Sequence, residues 1–428
     1  MEPRTKAENH GAQAEVEGLI DNLFRRSAGQ IVSYLTRLLG PEHLELAEEA
    51  VQEALIRALQ AWPYSGIPDN PGGWLFHVAR NVALDAVRRD TLFTSKHPEL
   101  IAELDRQPDV PQHDPKVEEH LRDDELRMLF MCCHPALSAN LSVPLSLKII
   151  GGFSVAEITR ALLSNETTIA QRIVRAKRQI REQNITLELP RDRELAPRLD
   201  AVLEVIYLIF NEGYAAYSGE NLVRQELCFE AMRLGKLVAD SSLASPKVHA
   251  LMSLMAFQAA RLDARVDADG NMALLEDQDR RLWDRDLVGF AFRELERSAE
   301  GEELTSYHVQ AALASVHAQA RDDASTDWPT ILSLYDQLLE LAPSPVIALN
   351  RVVAVAKVLG AEEALHELEK LDHDALRSYY LFYAVKGRLL KQMNSPEAAS
   401  AFRRALECPC SGPELKFLQR MLSECEHE

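Results

Sequence analysis

From Val16 onward, apolar residues recur every three or four positions in almost every long segment, and no stretch alternates Val, Ile and Thr with polar residues as a half-buried strand must. That pattern confines the chain to an all-α fold. Proline and glycine punctuate it. A polar tail (1–15) precedes a first helical unit (16–92), which is interrupted by the turn-rich run Trp62-Pro63-Tyr64-Ser65-Gly66-Ile67-Pro68-Asp69-Asn70-Pro71-Gly72-Gly73. Residues 93–120 are polar, contain Pro98, Pro108, Pro111 and Pro115, and read as a flexible, extended linker. A second small helical unit (121–185) follows. Pro190 and Pro197 then bracket a boundary, beyond which 186–325 and 326–428 are long helices.

The second unit ends in Phe153-Ser154-Val155-Ala156-Glu157-Ile158 running on to Thr168-Ile169-Ala170-Gln171-Arg172-Ile173-Val174-Arg175-Ala176-Lys177-Arg178. Ser154 is a natural N-cap, and Val155, Ile158 and Leu162 recur at helical spacing, so a short first helix buries one apolar face. Ser164-Asn165 breaks the pattern. A second helix then starts near Glu166, with Ile169, Ile173 and Ile180 facing inward and Gln171, Arg172, Arg175, Lys177 and Arg178 outward. This reads as a DNA-binding helix-turn-helix, whose polar face suits a major groove. The plainer alternative is the solvated side of an amphipathic helix. Local charge favours the former: Arg160, Arg172, Arg175, Lys177, Arg178 and Arg181 face only Glu157, Glu166 and Glu182 in a chain of net charge −19.

Such acidity excludes a generally sticky polyanion binder. Through Glu182 the chain carries 21 Lys and Arg against 26 Asp and Glu, and the remainder carries 26 against 40, so the surplus lies downstream of the basic helix. DNA contact therefore belongs to the first half. The polar start has no signal-peptide core and no run has membrane-spanning length, which together predict a cytoplasmic protein. The six cysteines are scattered; Cys132-Cys133 and Cys408-Pro409-Cys410 lack zinc spacing and histidine partners, so buried thiols are expected, with no metal and no cofactor.

Two small helical units joined by a polar linker, the second ending in a helix-turn-helix, resemble an extracytoplasmic-function sigma factor. The segment Ala47-Glu48-Glu49-Ala50-Val51-Gln52-Glu53-Ala54-Leu55 is similar to that family's region 2.2, which implies a core RNA polymerase contact through Glu48, Gln52 and Leu55. The segment from Trp74 to Arg89 is similar to regions 2.3 and 2.4. It implies that Trp74, His77, Arg80, Asn81, Arg88 and Arg89 open and read the −10 element, with Phe76 as a further planar surface and the loop 64–71 as a pocket for a flipped base. The residue types suit that task, since an unstacked strand is held on aromatic faces and basic groups. Region 4 then reads the −35 element through Glu166, Thr167, Thr168, Gln171, Arg172 and Arg175, with Lys177 and Arg178 holding phosphates.

The resemblance extends downstream. Tyr207-Leu208-Ile209-Phe210-Asn211-Glu212-Gly213-Tyr214 and Leu274-Leu275-Glu276-Asp277-Gln278-Asp279-Arg280-Arg281-Leu282-Trp283 resemble the sigma-factor subgroup with a long helical C-terminal extension. In the last hundred residues Leu389, Ala398, Phe402 and Ala405 fall at the offsets of a tetratricopeptide-like repeat, 327–341 with 345–359 looks like a related pair, and Lys386 stands where a small residue is usual. That subgroup implies an extension that regulates activity, binds a regulatory protein or makes an intramolecular contact. Glu212 with Asp277 or Asp279 is a possible carboxylate pair, but no nucleophile and base accompany it. The expectation is instead a buried polar network of Asn211, Glu212, Tyr214, Asp277 and Asp279, fixing the extension against the sigma core. The reading is a non-enzymatic initiation factor whose partners are core polymerase and promoter DNA; the rivals are a helical-repeat scaffold or an ordinary DNA-binding regulator that never engages polymerase.

Overall fold

Residues 27–91, 115–162, 164–190, 192–214, 224–265, 271–371 and 376–427 are described by the computed structural model of the protein, and no strand occurs among them. The all-α expectation holds for these residues. The polar tail, the start and last residue of the first helical unit and residues 93–114 of the expected linker lie outside them. The chain divides into two units, Met1–Val205 and Ile206–Glu428.

In the first unit, α1 (27–39), α2 (Leu44–Ser65) and α3 (Pro71–Thr91) form one packed group. Leu44, Ala47, Val51, Ala54, Leu55, Ala58 and Trp62 make a single buried stripe along α2, which packs on α3. The helix ends where Gly66 takes φ 81°, a conformation open to glycine at no steric cost. Helix α3 restarts with Pro71 in its first turn, where no N–H is needed, and with the Asn70 Oδ1 accepting from the Gly73 amide at 2.9 Å.

The second half of this unit holds α4 (Pro115–Cys132), α5 (Ala139–Ile149), α6 (Val155–Ala161) and α7 (Glu166–Glu182). Helix α4 starts at Pro115, so the last six residues read as extended linker are helical. Proline at the first helical position is preset in φ and sacrifices no hydrogen bond, so it opens a helix as readily as it breaks one. Helix α5 is buried almost all round and packs on α7, with Leu145, Leu147 and Ile149 at its heart.

Unit two centres on α10 (Pro246–Ala259), almost every residue of which is buried, from Lys247 to Phe257. The helices α9 (Gln225–Ala239), α11 (Arg285–Ser298) and α12 (Ser306–Gln319) pack around it. The unit begins inside α8 (Leu195–Tyr214). From α13 (Trp328–Leu341) onward, through α14 (Pro345–Leu359), α15 (Ala361–Glu369), α16 (Tyr380–Gln392), α17 (Ala398–Leu406) and α18 (Gly412–His427), each helix packs on the next. The small residue that admits close approach is Gly387 rather than its neighbour Lys386: a Cβ on Gly387 would lie 2.9 Å from the Phe402 ring.

Candidate nucleic-acid and polymerase interface

Local hydrogen bonding builds the basic helix. Ser154 Oγ accepts from the Glu157 amide at 3.1 Å while the Glu157 carboxylate accepts from the Ser154 amide at 2.8 Å, closing a capping box that starts α6. After the turn, Asn165 Oδ1 accepts from the Thr168 amide at 2.7 Å and starts α7. Ile169, Ile173, Ala176 and Ile180 are buried, so the polar side of α7 faces outward as expected.

The periodicity did not resolve how that polar side divides. Glu166, Thr167, Gln171, Arg175 and Arg178 line one groove together with Val155, Ala170 and Val174. Val174, 62% exposed, and Ala170 were missed, because an apolar residue outside the Ile stripe carries no signal by itself. Thr168 and Arg172 are half-buried to one side of that groove. Lys177 lies elsewhere: its Nζ donates to Glu48 Oε2 of α2, with only 15% of the lysine and 9% of the glutamate side chain exposed.

That pairing bears on the expected polymerase face. Of Glu48, Gln52 and Leu55, only Gln52 is exposed; Glu48 is taken up by Lys177 and Leu55 belongs to the core stripe. The outer face of α2 presents Gln52, Ile56 (49% exposed), Leu59 (43%) and Gln60, with Tyr64 and Ile67 exposed beyond it. Its sequence signal was available: Ile56 and Leu59 fall off the stripe that runs through Val51, Ala54, Ala58 and Trp62.

On α3, Asn81, Arg88 and Arg89 are exposed and Trp74 and His77 half-exposed, Trp74 packing edge-on against buried Trp62 at 5.4 Å. Arg80 is only 8% exposed, and Phe76 is buried with its ring 4.7 Å from Tyr34. Neither offers a surface to a strand in this structure. Both fall on the same side as Ala79 and Ala83, and a long arginine stem lies on apolar surface as readily as it reaches into water.

The polar clusters of unit two differ from expectation. Asp279 is exposed, caps the short turn Arg280–Leu282 and pairs with Arg281, whose hydrogen bonds hold its carboxyl down at about 2; Asp277 is exposed as well. No buried network joins them to Glu212, and no carboxylate pair forms. Burial pushes the Glu212 carboxyl up, with Arg224 opposing. Tyr214 instead meets two arginines: Arg261 donates to its hydroxyl, Arg265 to its carbonyl, and the Arg265 guanidinium lies 3.9 Å from the ring centroid. Burial alone would raise the Tyr214 phenol, but the two guanidinium charges outweigh it and hold it below its ordinary value. The carboxylate that ties the unit together is Glu276, which binds Lys357 at 2.9 Å and Arg388, while Lys357 also reaches Asp323 at 2.7 Å and lies 5.3 Å from the Trp328 ring centroid. Among the cysteines, Cys132, Cys133 and Cys228 are buried and burial pushes the Cys133 and Cys228 thiols up to about 12, but Cys408, Cys410 and Cys425 are half-exposed rather than buried.

With that geometry in view, the relatives place the chain. The sigma-70 region 2 family model matches residues 23–92, which take in α1 to α3, and a family of unknown function, DUF6596, matches residues 198–299. The first unit thus carries the helical domain of a sigma-70-type factor. An uncharacterized protein of Rhizobium meliloti strain 1021 is 41% identical over 414 residues, 96% of this chain and 97% of its own, and the chain belongs to one family with it. Two curated sigma factors are more distant. The ECF RNA polymerase sigma factor SigE of Mycolicibacterium smegmatis is 30% identical over 162 residues, 38% of this chain and 60% of that protein. The probable ECF RNA polymerase sigma factor SigI of Mycobacterium tuberculosis is 28% identical over 194 residues, 43% of this chain and 65% of its own. No solved structure matches the chain. Among the described residues, no helix is long and apolar enough to cross a membrane.

Proposed function

We propose that the protein is an RNA polymerase sigma factor of the extracytoplasmic-function type, working in the cytoplasm with core polymerase and promoter DNA and performing no catalysis itself. The observation that carries this reading is the sigma-70 region 2 match over 23–92, supported by distant kinship to two ECF sigma factors. The apolar outer face of α2, Ile56 and Leu59 with Gln52, is the surface we assign to core polymerase, an apolar centre with a polar rim being the usual anatomy of such contacts. Asn81, Arg88, Arg89, Trp74 and His77 are assigned to the −10 element.

We assign α6 and α7 to a helix-turn-helix in which Glu166, Thr167, Gln171, Arg175 and Arg178, grouped along one groove, meet base edges and phosphates of the −35 element. Unit two is assigned to regulation or partner binding, its last helices in the manner of tetratricopeptide repeats. A pull-down with core polymerase is the test. The full chain should be retained in stoichiometric amount, and the double variant Ile56→Asp, Leu59→Asp, altering two exposed side chains, should lose retention while keeping its helical circular dichroism. Failure of the parent chain to bind core would overturn the sigma reading in favour of a scaffold or an ordinary regulator.

A further inference from the structure

We propose that unit two holds a binding site for a phosphate group, built around Arg261 where α10 ends, and that the phosphate supplies the counter-charge to a cluster of arginines there; the site stands independently of the sigma reading above.

Three arginines converge on two aromatic rings. Arg261 lies just past the end of α10, Arg265 ends the short turn Leu262–Arg265, and Arg280 opens the turn Arg280–Leu282. The Asp284 amide donates to the Ala260 carbonyl at 2.9 Å and so brings the second turn to the end of α10. The Trp283 ring centroid is 5.6 Å from the Arg261 guanidinium and 5.3 Å from that of Arg280, while the Tyr214 ring centroid is 5.9 Å from Arg261 and 3.9 Å from Arg265. Among the described residues none of the three arginines makes an ion pair. Trp283 is only 4% exposed, but Arg261, Arg265 and Tyr214 are half-buried, which leaves the cluster open to a small ion from solvent.

Two of these charges serve the fold and the third does not. Arg280 Nη1 donates to the His317 and Ala320 carbonyls, each at 2.6 Å, and Arg265 donates to the Tyr214 carbonyl, so both close helix C-termini, where a cation meets the negative end of the dipole. Arg261 has the Tyr214 hydroxyl and two ring faces, and its Nε is buried without a partner. The neighbouring Trp283 Nε1 and His317 Nδ1 are likewise buried and unpartnered, whereas buried polar groups are ordinarily paired. The carboxylates that act on Arg280 are engaged elsewhere: Asp323 binds Lys357 at 2.7 Å, and Asp322 accepts from the Ser325 amide at 2.8 Å. The positive surplus is felt at Tyr214, whose phenol burial would raise but Arg261 and Arg265 hold below its ordinary value. Orphaned N–H donors beside three guanidinium groups that no carboxylate neutralises are the chemistry of an oxyanion site. A doubly charged phosphate answers three cations better than a singly charged carboxylate does, and the guanidinium fork matches its oxygens in pairs. The loop that carries Arg280 and Trp283 also carries Glu276, which holds Lys357 of α14 and Arg388 of α16, so an ion that steadies this loop steadies the seat of those helices.

The test is isothermal titration of the full chain with inorganic phosphate and with phenyl phosphate, against sodium chloride at matched ionic strength, beside amide exchange with and without the ion. Parent protein should bind phosphate saturably, and exchange should slow over 273–283 and at the end of α10. Binding of both probes supports a site for the free ion, and binding of phenyl phosphate alone supports a site for phosphate esters. Arg261→Gln should weaken binding by at least about tenfold, as the loss of a hydrogen bond to a charged group implies. Trp283→Phe keeps a ring and removes the orphaned N–H; it should weaken binding several-fold, and it decides the matter if Arg261→Gln fails to fold. A parent that binds neither probe beyond chloride overturns the site, since arginines with a purely structural role need no anion. Binding unchanged in either folded variant, or slower exchange confined to α7, would place the ion on the basic helix of the first unit and overturn it as well.

Discussion

His317 shows how a single half-buried side chain contributes to a pH dependence. Burial, then the charges of Arg261 and Arg280, bring its imidazole down to about 4 from an ordinary 6.5. Between those values the unfolded chain takes up a proton that the folded chain refuses, so the contribution of His317 to stability is flat above pH 6.5 and falls as pH drops toward 4, by up to about 1.4 kcal/mol per pH unit. Urea titrations at pH 7.5, 6 and 5 should show that fall in the parent and a shallower one in His317→Gln; an unchanged slope in the variant would assign the acid sensitivity elsewhere. On α7 the groove lining leads us to propose Arg175, in place of Arg172, as the base reader. Arg175→Ala should cost about 1–3 kcal/mol of discrimination at one base position of the −35 element. Arg178→Ala should instead weaken promoter duplexes alike. Competition between base-substituted duplexes for the polymerase complex separates the two, and a uniform loss for Arg175→Ala would remove its base-reading role.

At the scale of an element, ends and close approaches matter more than helix propensity. The capping box of Ser154 and Glu157 satisfies two amides at the start of a helix only seven residues long, too short to persist alone. Ser154→Ala should cost about 1 kcal/mol, read as faster amide exchange through α6. Helix α16 meets α17 across Gly387, whose missing Cβ leaves room for the Phe402 ring. Gly387→Ala overpacks that contact, and a loss of about 1–3 kcal/mol in denaturant unfolding of the full chain is expected. No loss would show that Phe402 has room to turn away. The cap at Ser154 was legible in the sequence because an N-cap is a local signal, while the return bond from Glu157 was not read there. Gly387 was not, because the ring that makes it necessary comes from another helix.

For the whole molecule the governing quantity is charge. A net −19 repels DNA at long range, while α7 is a local patch of basic residues, Arg172, Arg175, Lys177, Arg178 and Arg181. The full chain alone should therefore hold promoter duplex only weakly in about 0.15 M salt, where the Debye length is about 8 Å, and bind it firmly once core polymerase is present. Fluorescence anisotropy with and without core measures the difference. Tight binding by the chain alone at that salt would mean that the acidity of unit two does not act on the DNA-reading helix.

Local pattern sufficed for much of this protein. The all-α class, the start of α6 at Ser154, the inward Ile169, Ile173 and Ile180, and the basic outer side of α7 each follow from residues within one or two helical turns, where spacing dictates which side chains share a face. Tertiary structure decided the rest. That Lys177 meets Glu48 across 129 positions, that Arg80 and Phe76 turn inward while Ile56 and Leu59 stay out, and that Tyr214 answers to Arg261 and Arg265 instead of the Asp277–Asp279 cluster all depend on which helices pack together. A charged residue on a helix carries no mark of its eventual partner. A carboxylate brought close from another helix determines whether a lysine holds a phosphate or a glutamate, and only the folded chain supplies that neighbour.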